Sequence, residues 1–150
     1  MQTFLIIFLS VFGGVIILLL FIRFLIKYIM QNLDTQIKTE LKGEKIIAKD
    51  IQVNFFGRKS KGYKQIRGNG ILVLTPSQLI FYLAVPRQKI EIPLANIKKI
   101  TFPKSFLGKS RFKPLLCIEY ETSECNDIIA WLVRQPKQWK NKIYEVKNEI

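Results

Sequence analysis

Residues 68–81 read GNGILVLTPSQLIF, two short apolar runs separated by the turn residues of 75–78. Proline presets the backbone for a tight turn, and serine favours turns through its own hydrogen bonds. Apolar runs of four to eight residues on either side of such a turn are typical of strands. The stretch therefore predicts a β-hairpin, with one strand at 66–74 and the next at 79–85.

Segments on both sides of the hairpin continue the strand pattern. Residues 47–55 alternate apolar and polar side chains, which indicates a strand with one buried face. Residues 90–94 alternate in the same way, and Pro93 favours a position at a sheet edge. Further strands are predicted at 97–102, 115–120 and 128–133. About seven short antiparallel strands favour a barrel or sandwich.

The end of the chain changes from strand to helix periodicity. Pro136 suits the first position of a helix, because its missing N–H would have no partner there. One apolar stripe follows at helical spacing, formed by Trp139, Ile143, Val146 and Ile150. We expect one amphipathic C-terminal α-helix that covers an opening of the sheet.

The N-terminus carries a long apolar run. Residues 3–22 contain sixteen Leu, Ile, Val and Phe residues, and the first charge is Arg23. Twenty helical residues span about 30 Å, the thickness of the hydrocarbon core, and this composition favours insertion by roughly 5 to 10 kcal/mol. A cleaved signal peptide is less favoured, because no cation precedes the run and no small-residue cleavage site follows it. Residues 1–30 are predicted to form a single-pass transmembrane anchor.

Flanking charge predicts the orientation of this anchor. No Lys or Arg precedes the run, whereas four follow within twenty residues, namely Arg23, Lys27, Lys38 and Lys42. The positive-inside rule therefore places the N-terminus outside and residues 31–150 in the cytoplasm, at the cell membrane. Arg23, Lys27 and Tyr28 are the side chains expected at the membrane interface.

Residues 31–43 are predicted to form a helical neck. Leu33, Ile37 and Leu41 recur every fourth residue, and Gly43 ends the pattern as a C-terminal cap would. This stripe is compatible with a position along the membrane interface and with pairing to a second copy. In the anchor, Ser10 and Gly14 form a small-residue pair that would also permit a homodimer.

The part of the chain beyond the anchor is strongly basic. Of the 24 Lys and Arg residues, two precede residue 31 and 22 follow it, against 11 Asp and Glu, which gives residues 31–150 a net charge of +11. Near anionic lipid headgroups each well-placed cation contributes roughly 1 kcal/mol of attraction. A solvated basic surface that serves solubility and topology is the other interpretation.

Four segments together resemble GRAM and related bacterial pleckstrin-homology-like domains. Residues 68–81 are similar to the family's G-x-G-x-L-x-L-T-x-x-x-L-x-F hairpin; the other segments are 41–46, 92–97 and 127–139. The resemblance covers residues 41–150. It implies a strongly bent, seven-stranded β-barrel, here residues 44–150, whose open end is plugged by the C-terminal helix. It also implies binding of lipid headgroups or protein segments without catalysis.

Two basic loops contain the candidate lipid-binding residues. Loop 57–67 holds Arg58, Lys59, Lys61, Lys64 and Arg67, and loop 103–113 holds Lys104, Lys109, Arg111 and Lys113. Aromatic residues accompany them, namely Phe55, Phe56, Tyr63, Phe106 and Phe112. Cations beside rings suit a bilayer interface. They also suit single-stranded nucleic acid, which a membrane tether disfavours, so no nucleic-acid partner is expected; mobile solubilising loops are the remaining interpretation.

No catalytic residue, metal site or cofactor is expected. The chain has no histidine, which removes the commonest general base and metal ligand. Cys117 lies in an apolar strand, where a thiol usually packs as a small hydrophobe. Residues 108–110 copy the end of a P-loop, but Pro103 stands where that motif needs its first glycine. An enzyme is therefore disfavoured.

The sequence favours a membrane-anchored module that contacts anionic lipid headgroups or organises a membrane partner. The alternative is a protein-interaction scaffold that binds a peptide at the edge strand 90–94 or at the helix face of 139–150. High salt would weaken headgroup attraction and largely spare peptide docking.

Overall fold

The structure, a computed structural model, describes residues 2–123 and 125–149. Side chains of residues 2 and 4–10 are outside that description. Ile150 of the predicted helix stripe and the Ser10 side chain of the predicted pairing motif therefore lie outside the described part, and both stay predictions.

A single helix, α1, runs through the predicted anchor and neck without interruption, from Gln2 to Glu40. By length and composition, Val11–Glu40 is apolar enough to cross a membrane, with a mean hydropathy of 2.2 over its most apolar window. The side chains of that window are not buried against the rest of the chain. Just beyond the helix, Gly43 takes a φ of +104°, a conformation that favours glycine at a helix end.

Seven strands form one antiparallel sheet in the order β4-β3-β2-β1-β9-β8-β5, and β6 and β7 form a separate two-stranded hairpin. The strands are β1 (Ala48–Arg58), β2 (Gly68–Leu74), β3 (Gln78–Leu83), β4 (Gln88–Pro93), β5 (Ile97–Thr101), β6 (Ser105–Phe106), β7 (Lys109–Ser110), β8 (Leu116–Glu121) and β9 (Asn126–Leu132). The seven strands predicted from sequence are confirmed. The β6–β7 hairpin was not predicted, because its strands are two residues long.

Strand β1 bends the sheet around the core. It pairs with β2 on one side and β9 on the other, with irregularities between Asp50 and Val53 and between Phe55 and Gly57. Such bulges bend a strand and increase its twist. The inner face carries the rings of Phe55, Phe81 and Trp131, with the Phe81 centroid 5.4 Å from Phe55 and 5.8 Å from Trp131.

A C-terminal helix, α2 (Pro136–Asn148), closes the opening of the bent sheet. Its residues Trp139, Ile143 and Val146 are buried in the same core as the strands. The predicted fold class is therefore confirmed: a long apolar N-terminal helix, a seven-stranded antiparallel sheet and a closing helix. The alternative in which the helix face of 139–150 binds a peptide is corrected, because that face is already occupied within the chain.

The neck packs on the outside of the barrel. Leu33, Ile37 and Leu41 are buried against a patch on the outer face of β2 and β3, formed by Ile71, Val73, Ile80 and Tyr82. Three polar pairs join the neck to the barrel, namely Asp34–Lys49, Glu40–Lys89 at 2.5 Å and Gln36–Arg87 at 2.7 Å. Within the helix, Asp34 also pairs with Lys38 at 2.9 Å. The stripe thus has a partner that the sequence interpretation did not include.

Candidate functional site

One end of the barrel lies beside the part of α1 that follows the apolar run. Ile26, Ile29 and Met30 share a crevice of about 160 Å³ with Gly68, Asn69, Ala84 and Val85, where β2 begins and β3 ends. Ile26 is four residues beyond Ile22, which is about 6 Å along a helix. We call this the proximal end, defined by the loops 57–67 and 84–87 that extend from it and by segment 103–114, whose residues 108–111 share a cleft with Arg67 and Gly68.

Nearly all of the net charge is concentrated at the proximal end. Its three segments hold ten Lys and Arg residues and no Asp or Glu. The remainder of residues 31–150 holds twelve cations and eleven acids, a net charge of only +1. The +11 found from the composition is therefore concentrated in these three segments, one of which contacts the acid Asp127.

Loop 57–67 is held in a defined conformation by the side chain of Gln65. Its Oε1 accepts a hydrogen bond from the Arg58 backbone N at 2.6 Å, and its Nε2 donates to the Arg58 carbonyl at 2.8 Å and to the Gly62 carbonyl. Gly57 has a φ of +124°, and a Cβ there would lie 2.6 Å from Gln65 Cδ. Glycine is therefore required at 57 by its backbone and by the close approach of Gln65.

Asp127 ties the same loop to the sheet. It is 3% exposed, and its carboxylate accepts hydrogen bonds from Ser60 Oγ at 2.6 Å, Ser60 N at 3.0 Å and Ile128 N at 2.8 Å. Burial alone would raise the pKa of Asp127, but these hydrogen bonds and the nearby Arg58 guanidinium hold it below its ordinary value of 3.8. No sequence pattern marked Asp127, Ser60 or Gln65, because each acts across the fold. The interpretation of loop 57–67 as simply mobile does not fit these contacts.

Three of the predicted lipid-binding cations meet at the mouth of the barrel. Arg58, Lys61 and Lys64 line a cavity of about 260 Å³ together with Gln65, Ile66, Pro86, Gln88, Ile90 and Phe55. Lys61 and Lys64 are exposed, whereas Arg58 is half-buried. This cavity joins loop 57–67 to the β3–β4 turn.

Three other predicted cations meet in a second cleft, on the outer side of β1. Arg67, Lys109 and Arg111 line this cleft, about 490 Å³ in volume, with Asn54, Phe55, Phe56, Gly68, Gly108 and Ser110. The β6–β7 hairpin provides one wall. Its Phe106 packs on an outer cluster with Phe56 and Cys117, and a Cβ at Gly108 would lie 3.5 Å from Tyr63 Cε1. The hairpin therefore brings the two basic loops together.

The remaining predicted residues have varied positions. Lys59, Lys104 and Lys113 are exposed and line neither cavity; Arg23, Lys27 and Tyr28 are exposed on α1 directly after the apolar run. Arg23 and Lys27 also line a groove of about 660 Å³ between α1 and β1. In the described part of the chain, none of the nine loop cations forms an ion pair with a carboxylate.

The apolar residues of the loops divide into buried and exposed sets. Phe55 and Phe56 are buried and are not available to a membrane, which corrects the interpretation of their rings as interfacial. Tyr63 is 73% exposed and Phe112 is 91% exposed. Ile66 and Val85, which sequence reasoning missed, are also exposed at this end, at 61% and 63%. Burial raises the pKa of the Cys117 thiol, which agrees with a packing role.

Comparison with known proteins bears on the fold alone. No protein-family model matches the sequence, and no curated protein is significantly similar to it. The C-terminal domain of an unknown protein from Leishmania infantum is 20% identical, with a TM-score of 0.54 over 78% of this chain and 96% of that one. The Vps36 N-terminal PH domain is 20% identical, with a TM-score of 0.49 over 72% of this chain and 82% of that one. Membership of the GRAM family stays a prediction.

Proposed function

We propose that this chain is a non-enzymatic, single-pass membrane protein whose pleckstrin-homology-like barrel lies with its proximal end against anionic lipid headgroups of the cytoplasmic leaflet. The single observation that carries this proposal is the crevice between Ile26–Met30 and the start of β2, since it joins the basic end of the barrel to the helix just after the apolar run. The region 44–150 would act as the binding module, with 1–30 as its anchor and 31–43 as its neck.

Dimensions support the contact. The polar headgroup layer is about 5 to 7 Å thick on each side of the hydrocarbon core. Contacts between α1 and the barrel begin about 6 Å beyond Ile22. With the apolar run in the hydrocarbon core, the proximal end would be at the depth of the headgroups and not in bulk solvent.

Chemistry at the proximal end also favours a membrane surface. Ten cations lie on the three proximal segments, of which one contacts the buried carboxylate of Asp127. These cations would attract anionic lipids, at roughly 1 kcal/mol for each cation that is well placed. Exposed Tyr63, Ile66, Val85 and Phe112 at the same end would rest at the boundary with the acyl chains. A fixed neck would keep these side chains directed at the bilayer. The barrel would then serve to sense lipid composition or to organise a membrane partner.

Strand addition is a second candidate function that one observation favours. Strand β4 is at the edge of the sheet and pairs only with β3 among the strands described. A peptide could extend the sheet there, although Pro93 shortens the available edge. Such binding would survive high salt, whereas headgroup attraction would be screened.

The experiment for the proposed function uses the full chain in nanodiscs, with Cys125→Ser and a polarity-sensitive dye attached through Tyr63→Cys. Neutral phosphatidylcholine discs are compared with discs containing phosphatidylglycerol. We expect a blue shift of the dye in anionic discs at low salt and its loss at high salt. A dye signal that is the same in both kinds of disc would overturn the proposal.

Matched charge variants complete this experiment. Replacement of Lys59, Lys61 and Lys64 by Gln should remove most of the blue shift. The control replaces three exposed lysines elsewhere by Gln, namely Lys45, Lys137 and Lys142. Because both variants lose three charges, equal effects would attribute the response to total charge and contradict a specific role of the proximal end.

A further inference from the structure

Arg67 has two hydrogen-bond donors without a partner. Its Nε and Nη2 are both buried, and neither has an acceptor among the residues that the structure describes. These two nitrogens form the edge of the guanidinium that binds a carboxylate or phosphate through two parallel hydrogen bonds. Buried donors are almost always paired, so an orphaned pair on one edge needs an explanation.

The surroundings of Arg67 offer charge of one sign only. Lys109 and Arg111 line the same cleft, so three cations share a space of about 490 Å³. The cleft-lining residues include no Asp or Glu, and neither loop contains one. Other cations of the chain pair with acids, as Lys49 does with Asp34 and Lys98 with Glu121. An anion from another molecule would supply both the acceptors that Arg67 lacks and the counter-charge of the cleft.

We propose that the cleft between Arg67 and the β6–β7 hairpin is a binding site for a phosphate monoester. Two oxygens of the phosphate accept from the Nε and Nη2 edge of Arg67, while Lys109 and Arg111 neutralise the remaining charge. A monoester fits better than a diester, because it has three free oxygens and close to two negative charges for the three cations. Binding of a lipid headgroup at this site rests on the proposed function, because the barrel must lie against the membrane. A soluble phosphate monoester has the same chemistry.

The hairpin would have to move for the anion to reach Arg67, because the edge is screened from solvent. The walls of the cleft differ in how firmly they are held. Asn54 and Phe56 belong to β1, which is paired on both sides in the main sheet. The hairpin has only two paired positions, Ser105 with Ser110 and Phe106 with Lys109. Displacement of the hairpin is therefore the smaller change.

The proposed site is separate from the barrel mouth. Arg58, Lys61 and Lys64 line the other cavity, and no side-chain nitrogen of theirs is buried without a partner in the described structure. The two cavities share only Phe55. An exchange of Arg58 or Arg67 for Lys therefore tests one cavity at a time without any change of net charge.

The test titrates the full chain, in micelles of a neutral detergent, with dihexanoyl phosphatidic acid and with dihexanoyl phosphatidylglycerol by calorimetry. We expect the monoester to bind at least about ten-fold more tightly than the diester. Arg67→Lys keeps the charge but loses the planar pair of donors, so it should weaken monoester binding about ten-fold or more and erase the preference. Arg58→Lys is the matched control and should retain the preference.

Equal monoester affinity in Arg67→Lys and the wild type would overturn the proposal, as would loss of the preference in Arg58→Lys alone. If Arg67→Lys unfolds, the exposed hairpin variant Lys109→Gln/Arg111→Gln replaces it and should also lose the preference. If inorganic phosphate competes with phosphatidic acid, the ligand of the cleft is assigned as a soluble phosphate. If inorganic phosphate does not displace bound phosphatidic acid, the ligand is assigned as a lipid headgroup. The salt-dependent dye response would persist in Arg67→Lys, so the two proposals fail separately.

Discussion

Asp127 shows how one buried carboxylate can determine the shape of a basic loop. Its hydrogen bonds to Ser60 join loop 57–67 to the start of β9. Hydrogen bonds to a charged acceptor are stronger than those between neutral groups. The positions of the cations at the barrel mouth therefore depend on an acid that lies far from them in the sequence.

We predict that Asp127→Asn lowers the free energy of unfolding by roughly 1 to 3 kcal/mol. Ser60 and Ile128 would then donate to a neutral amide in place of a charged carboxylate. The N–H₂ group of asparagine would also face these donors. Urea unfolding of the full chain in neutral micelles, followed by the fluorescence of the buried Trp131 and Trp139, measures the change. Glu145→Gln on the exposed side of α2 is the control and should stay within about 0.5 kcal/mol of the wild type.

The stability difference between the wild type and Asp127→Asn should depend on pH. Because the folded-state pKa of Asp127 lies below 3.8, its stabilising contribution is complete above that value and is lost as the pH falls through the lower folded-state value. The advantage of the wild type over Asp127→Asn should therefore shrink below about pH 4. A difference that stays constant from neutral pH to about pH 2 would contradict the assigned role of the carboxylate.

At the scale of elements, the neck is part of the barrel's surface. Leu33, Ile37 and Leu41 cover a patch of β2 and β3 that would otherwise be exposed and apolar. The consequence is that α1 does not act as a loose tether. The direction in which the helix leaves the barrel is set by side-chain packing and by the ion pair of Glu40 with Lys89.

We predict that Ile37→Ala lowers the free energy of unfolding by roughly 2 to 5 kcal/mol, as for other buried isoleucines. Ile37 is fully buried between the helix and the sheet. The same urea unfolding measurement applies. Thr35→Ala on the exposed side of the neck is the matched control, with an expected change within about 0.5 kcal/mol. If both variants match the wild type, the neck does not pack on the barrel in solution.

The sequence predicted the elements well, because their signals are local. Turn residues and apolar periodicity mark each of the seven strands and both helices. Docking of the neck was missed, since it depends on two apolar faces far apart in the chain. A signal existed: 71–74 is a continuous apolar run, which is typical of a strand buried on both faces. No sequence pattern marks the unpaired Nε and Nη2 of Arg67, because their lack of a partner depends on burial in the folded chain.

At the scale of the whole molecule, the basic segments lie near the part of α1 that follows the apolar run. The three proximal segments provide +10 of the net +11 of residues 31–150, and they are separated by long stretches of sequence. Composition alone predicts a basic domain, but packing of the β6–β7 hairpin beside Arg67 and Gly68 brings two of its basic segments together. The neck then holds the proximal end beside the residues that follow the apolar run.

The orientation of the barrel is the central claim, and its most direct test is the depth of single labelled positions. Spin labels are placed on the full chain, with Cys125→Ser, through Val85→Cys, Phe112→Cys or Ser77→Cys; Ser77 is exposed in the β2–β3 turn at the opposite end. Nanodiscs that contain a nickel-chelating lipid relax labels near the bilayer surface. We predict strong relaxation at positions 85 and 112 and little at 77. Relaxation at 77 equal to or stronger than at 85 would contradict the account.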